Sequence, residues 1–199
     1  FQRKVKDFIK EMPARLKEYH EVFSGNVIAQ NRLKGVGFLS REEAINYGVT
    51  GPSGRGSGWA CDVRKRSPYA AYDKVQFDEV LYNEGDSYAR YMVRMKEIEQ
   101  SLHILEQLVD NIPEGDYLAK TKPIIKVPEG RYFKEVEAAR GAFGIYLESR
   151  GDKFPYRLKV NSPGFNLVGA VDHMTRGSKI ADLIAIGGSL DYVVPDIDR

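Results

Sequence analysis

The sequence is poor in cysteine, histidine and long apolar runs, and each shortage excludes a class of function. Cys61 is the only cysteine among 199 residues, so no internal disulfide forms, which fits a reducing compartment. No Cys-x-x-Cys pair is present to hold zinc, nickel or an iron–sulfur cluster. The three histidines, His20, His103 and His173, lie too far apart in sequence to form a local metal motif. No window approaches the roughly 18 consecutive apolar residues of a membrane span. The opening FQRKVKDFIKEM carries no signal-peptide core. Charge of one sign is also missing: 30 basic against 28 acidic residues leave +2, mixed along the chain, and nothing requires nucleic acid as a partner.

What is present is a globular composition, 42% hydrophobic and 29% charged, long enough for a real core in one domain or two small ones. The first residue is Phe rather than Met, which reads as a fragment of a longer chain. From about Arg3 to Asn31 the apolar residues recur at helical spacing, with Pro13 as an expected break or kink, giving one kinked helix or two. Ser40 with Glu43 is a capping-box signature, and Gly48 is a plausible stop for the helix between them. TGPSGRGSG, residues 50–58, is dense in glycine, serine and proline and reads as a loop. From Gly85 to Ile112 the stripe Tyr88, Tyr91, Met95, Ile98, Leu102, Leu105, Val109 and Ile112 predicts a long amphipathic core helix. NIPEGDYLAKTKPIIKVPEG predicts an irregular connection. Alternation over Phe143–Leu147 and Tyr156–Val160 around SRGDKFP predicts a β-hairpin. SPGFNLVGAVDHMTRG reads as a turn into a short helix, and SKIADLIAIGGSLD as a buried helix stopped by Gly187 and Gly188. The fold class is therefore α+β, mainly α.

Few motifs carry chemistry on their own. GPSGRGSG lacks the Gly-Lys-Ser/Thr of a phosphate loop and is followed by Trp59, Ala60 and Cys61 instead of a helix signal, so nucleotide binding is a weak reading. Arg55, Arg64, Lys65 and Arg66 gather near Asp62 as a local ion-pair cluster or a contact for an acidic partner. Cys61 has no neighbouring histidine and reads as an ordinary buried thiol. Asp182 with Asp191, or Asp196 with Asp198, are carboxylate pairs that sequence alone does not bring together. Asp191 is more informative: it follows an apolar helix and two glycines that permit close backbone approach, so partial burial and a role in proton-coupled chemistry or ligand hydrogen bonding are expected of it.

Five blocks then carry a resemblance: NRLKGVGFLSREEAINYGVTGPSGRGSG, DVRKRSPYAAYD, EGDSYARYMVRMKEIEQSL, PYRLKVNSPGF and ADLIAIGGSLDYVVPDIDR. In this order, from about residue 30 to the last, they resemble the D subunit of respiratory complex I, the hydrogenase-large-subunit-like part of NADH:quinone oxidoreductase, and the closing GSLDxVxxxxDR is the most specific. The resemblance implies a nickel–iron-hydrogenase large-subunit-like fold with long core helices and a small antiparallel hairpin. It implies that residues 1–199 are the carboxyl-terminal part of a single domain, whose amino-terminal half would supply a histidine-bearing loop and a tyrosine to the quinone headgroup. Related nickel–iron hydrogenases end in DPCxxC, whereas Val193 and Asp196 stand here where the cysteines would be, so the resemblance implies no nickel site.

By motif, the resemblance maps the quinone pocket onto Asp191 and Val193, with Gly188, Ser189 and Leu190 beside them. Electrons would pass to quinone from an iron–sulfur cluster held by a neighbouring subunit, coupled to proton translocation. NADH, flavin and cluster cysteines would belong to partner subunits. The expected place is peripheral, on the cytoplasmic side of the cell membrane, or the matrix side in a mitochondrion. The fragment alone would be inactive. Rival readings are the same subunit in a ferredoxin- or deazaflavin-fed relative, or a non-catalytic assembly scaffold. Two positions depart from the family's GEFGxYxxSDG, Ala142 for the acid and Arg150 for the aspartate. Asn161 replaces a common basic residue before the PGF block. These changes alter charge around the hairpin.

Overall fold

The structure, a computed structural model, describes residues 1–197. The chain is mainly helical with a small antiparallel sheet, the class expected from its periodicity. Helix α1 (Gln2–Tyr19) runs without interruption through Pro13. The break falls later, at a π-helical turn, His20–Ser24, that leads into α2 (Val27–Leu33). Helix α3 (Arg41–Tyr47) begins with the Ser40–Glu43 capping box and ends at Gly48, whose φ of 68° is in the left-handed region. Residues 50–58 are not simply a loop. Gly51–Arg55 form a short helix, α4, with Pro52 in its first turn and every residue buried. Burial and packing override the poor helix propensity of glycine here.

Helix α5 (Val63–Arg66) is capped by Asp62, and the long helix α6 (Ser87–Leu108) by Asp86, which accepts from the Ala89 N–H. After an irregular, exposed connection comes a three-stranded sheet, not a two-stranded hairpin: β1 (Gly130–Ala138), β2 (Gly141–Ser149) and β3 (Arg157–Asn161), in the order β1-β2-β3. The predicted β2–β3 pairing is present, with Ile145 opposite Val160. The added strand β1 pairs with β2 from Gly130–Ser149 to Ala138–Gly141. Strand β1 is amphipathic only weakly and half exposed, so its pattern hides it in the sequence.

Helices α7 (Pro163–Gly169) and α8 (Val171–Thr175) replace the single expected helix, and α9 (Ile180–Leu190) runs through Gly187 and Gly188 to a cap at Asp191. Glycine in a helix costs only about 1 kcal/mol against alanine, which packing on α6 offsets. Only one face of α9 is buried: Ile186 and Leu190 join a core cluster with Leu39, Val49 and Leu167, while Ile180 and Ile184 are 92% and 82% exposed. A short turn, α10 (Val194–Ile197), closes the described chain against α7. The GSLDxVxxxxDR motif extends to Asp198 and Arg199, which lie outside the described residues.

Candidate functional site

The site expected over residues 188–193 is the last turn of α9 and its cap. Asp191 sits at φ 55°, ψ 37°, a left-handed conformation that few non-glycine residues adopt and that aspartate tolerates better than most. Its N–H donates to the Gly187 carbonyl at 3.2 Å. The side chain is 47% exposed, so the expected partial burial is not found; the αL cap turns it outward from the helix end. Ser189 and Leu190 face inward, Gly188 is exposed and Val193 is half-buried.

Three arginines meet three successive residues of this turn. Arg90, on α6, is fully buried and donates from Nε to Ser189 Oγ at 2.9 Å, from Nη1 to Gly85 O at 3.0 Å, and from Nη2 to Gly37 O at 2.8 Å. Among the described residues it has no ion pair, and carbonyl and hydroxyl dipoles hold its charge. Burial pushes its guanidinium down to about 9, which still leaves it protonated at neutral pH. One turn on, Arg94 donates to Arg90 O at 3.0 Å and Leu190 O at 3.4 Å, and burial lowers its proton affinity too. Arg140 comes from the two-residue turn between β1 and β2: its Nε donates to Asp191 O at 2.6 Å, and its guanidinium lies 3.6 Å from Asp191 Oδ2 and 3.8 Å from Asp196 Oδ2.

The β1–β2 turn reaches this position because α4 lets it. Gly51 (φ 69°) and Gly141 (φ 135°) pack back to back: a Cβ on Gly51 would fall 2.5 Å from Gly141 Cα and 2.6 Å from Arg140 O. Ala142 N–H donates to Thr50 Oγ1 at 2.9 Å across the same contact. Below it, Arg55 donates from Nε to Glu97 on α6 at 2.6 Å and from Nη1 to Glu137 on β1 at 2.8 Å, with only 2% of its side chain exposed. Glu137 also accepts the Val63 N–H at 3.0 Å, and Asp62 forks onto Arg64 at 2.6 Å. Desolvation pushes Glu97 above the usual carboxylate range, against the pull of Arg55, whereas Arg64 and Arg55 hold Asp62 below it despite burial. Of the basic cluster foreseen around Asp62, Arg55 and Arg64 are thus held in internal ion pairs, whereas Arg66 is exposed and pairs with Glu135, and Lys65 is exposed over the Phe77 ring.

The five expected site residues do not line one cavity. An open, mostly apolar groove of about 270 Å³ between α6 and α9 is bordered by Phe23, Tyr91, Arg94, Ile184, Gly188 and Ser189, while Leu190, Asp191 and Val193 are not part of its lining. The carboxylate pairs are sorted as well. Asp182 caps the far end of α9, accepting the Lys179 N–H at 3.0 Å and pairing with Arg32 at 3.2 Å, so it does not meet Asp191. Asp196 joins Asp191 at Arg140, and Asp198 lies outside the described residues. Cys61 is buried, with its thiol pushed up to about 12 by desolvation, which leaves it unreactive at neutral pH. His20 bonds Ser24, His173 pairs with Glu43 at 2.8 Å, and His103 is exposed. Among the described residues no group of three or more His, Cys, Asp or Glu is placed to hold a metal ion.

Sequence reading missed the three arginines. A signal for one of them was available: Arg94 stands three residues after Tyr91 and four before Ile98, on the flank of the apolar stripe of α6, where a charged side chain needs polar partners, whereas Arg90 lies off that stripe. Nothing in the sequence placed Arg140 beside Asp191.

The family described as respiratory-chain NADH dehydrogenase, 49 kDa subunit, matches residues 1–126 and 121–199. The C/D subunit of NADH-quinone oxidoreductase from Phocaeicola vulgatus is 67% identical over 199 residues, all of this chain and 38% of that protein. The D subunit of NADH-quinone oxidoreductase from Desulfotalea psychrophila is 52% identical over 193 residues, 96% of this chain and 52% of that protein. A chain from the structure of a membrane-bound sulfane sulfur reductase, an archaeal respiratory membrane complex, superposes with a TM-score of 0.93 at 39% identity, over 100% of this chain and 55% of its own. The chain thus spans between about two fifths and about half of the relatives it matches.

Proposed function

Since the chain belongs to the family of the respiratory-chain NADH dehydrogenase 49 kDa subunit, we propose that it is the carboxyl-terminal part of a quinone-site subunit and that the Gly188–Val193 turn borders the quinone. Residues 1–199 then form part of one hydrogenase-large-subunit-like domain completed by an amino-terminal half. Electrons arrive from an iron–sulfur cluster of a neighbouring subunit, and reduction of quinone to quinol takes up two protons alongside two electrons. Asp191 is a carboxyl group on a solvent-contacting turn, held at a fixed place by Arg140, which suits it to hydrogen-bond a quinone oxygen or to pass on a proton. The half-buried Val193 offers apolar contact for a ring or isoprenoid tail. The observation that carries the reading is the left-handed Asp191, tied by Arg140 beside an apolar groove.

No described helix is long and apolar enough to cross a membrane. In this reading the chain lies peripherally, held to the membrane by partner subunits, on the cytoplasmic side or the matrix side in a mitochondrion. Its partners are the other subunits of the complex, and proton translocation is a property of that whole.

A second reading has one observation behind it. The 39% identical neighbour belongs to a sulfane sulfur reductase, so the same scaffold serves another acceptor there. Identities of 67% and 52% to NADH-quinone oxidoreductase subunits favour quinone for this chain. The test is inhibitor-sensitive NADH:quinone reduction in membranes carrying Asp191→Asn in the full-length subunit. A lower kcat/KM for quinone is expected. Unchanged activity, with the complex assembled, overturns the role of Asp191. Membranes that assemble the complex but oxidise no NADH point to a different electron donor.

A further inference from the structure

We propose that Arg140 is a positioning residue for the quinone site, setting the backbone and the carboxylate of Asp191 from the β1–β2 turn. The inference rests on the quinone-site reading of Asp191 and adds a second residue, from another element, to it. Three observations carry it. First, Asp191 occupies a strained left-handed conformation, and such conformations persist where surrounding contacts over-determine them. Its carbonyl oxygen accepts the Arg140 Nε–H at 2.6 Å.

Second, the same guanidinium faces two carboxylates, Asp191 at 3.6 Å and Asp196 at 3.8 Å, and so draws the cap of α9 and a residue of α10 towards one cation. A planar guanidinium can bind a carbonyl and carboxylates at once in a fixed geometry, which a lysine ammonium cannot do. Third, the anchor itself is fixed. The β1–β2 turn is locked on α4 by the Gly51–Gly141 contact and by Ala142 N–H to Thr50, and β1 is tied to α4 and α5 through Glu137. Arg140 is therefore aimed by the rigid part of the molecule at its exposed turn.

If Arg140 acts through Asp191, the two residues are coupled. In membranes carrying the assembled complex, Arg140→Gln is expected to raise the KM for a short-chain quinone by about tenfold, in the range of couplings between contacting residues. The amount of assembled complex is expected to remain unchanged. Arg140→Lys, which keeps the charge without the planar fork, recovers part of the loss. The double variant Arg140→Gln with Asp191→Asn is no worse than the weaker single variant. Arg131→Gln, which removes an exposed contact of 3.9 Å to Glu148 on the same hairpin, leaves KM unchanged.

Four outcomes separate the claims. If Asp191→Asn is silent, the quinone-site reading itself fails. If Asp191→Asn raises KM but Arg140→Gln does not, the positioning role fails and the reading stands. Effects that multiply in the double variant also overturn the role, because they show independent action. A loss of activity that follows a lowered amount of complex at unchanged KM shows a structural residue only, and overturns it too.

Discussion

Replacing Arg55 by methionine tests the ionic tie beneath the site. Methionine keeps an apolar stem in the space but removes the charge shared by two carboxylates. Arg55 Nε lies 2.6 Å from Glu97 and Nη1 2.8 Å from Glu137, with side-chain exposures of 2% for Arg55, 17% for Glu97 and 5% for Glu137. Breaking a buried pair by removing one partner costs about 3–5 kcal/mol, because the remaining charge stays desolvated and unpaired. The loss of unfolding free energy should fall in that range at neutral pH. It should also depend on pH in a definite direction. Burial already pushes the Glu97 carboxyl up, and Arg55 is the main influence pulling it down, so the variant raises it further.

A carboxyl whose folded-state pKa lies above its unfolded value binds its proton more tightly when folded. That contribution is complete below the unfolded range, near ~4.3, and is lost as pH rises through the folded value. The deficit of the variant therefore grows from acid towards neutral pH. Urea unfolding of both chains between pH 5 and 8, followed by far-UV circular dichroism, reads it. A deficit that stays constant across that range, or one below about 1 kcal/mol at neutral pH, would refute the reasoning. Adding Glu97→Gln to the Arg55→Met background should recover part of the loss.

Gly51→Ala should cost about 2–4 kcal/mol, from overpacking against the β1–β2 turn and from the left-handed φ of 69°; Gly177→Ala, at φ 76° with no atom within 4 Å of the new Cβ, should cost only about 1 kcal/mol. Equal effects in urea unfolding would contradict the back-to-back glycine contact. Cys61, buried with its thiol pushed up to about 12, should resist iodoacetamide at pH 8 in the folded chain and react in urea, so prompt native labelling would count against its burial. At position 191, asparagine tolerates the left-handed cap whereas alanine does not, so Asp191→Asn should leave stability nearly unchanged and Asp191→Ala should lower it by about 1 kcal/mol. Indistinguishable melting temperatures for the two variants would show that the cap conformation is not under strain.

Periodicity made α6 legible because Tyr91, Met95, Ile98 and Leu102 recur on one face over about three turns, and Ser40 with Glu43 marked the start of α3 by a local hydrogen-bond pattern. The β2–β3 pairing showed in the alternation around Ile145 and Val160. What escaped was set by tertiary packing. The helix Gly51–Arg55 exists because it is enclosed, and no local propensity announces it. Gly187 and Gly188 continue α9 because the helix packs on α6, and Asp191 turns outward because the helix ends in a left-handed cap.

Strand β1 carries a half-exposed pattern that gives no clear period. The resemblance located the turn at residues 188–193, yet Arg140, 51 positions upstream of Asp191, became part of it only when the hairpin was placed.

The central claim is that quinone approaches the turn after α9. The most direct measurement is photolabelling of the intact membrane-bound complex with a photoreactive quinone analogue, with the adducts on this chain mapped by mass spectrometry. Adducts within residues 187–193 that unmodified quinone suppresses are the predicted result. Adducts confined to other parts of these 199 residues, or labelling at 187–193 that excess quinone leaves unchanged, would contradict it.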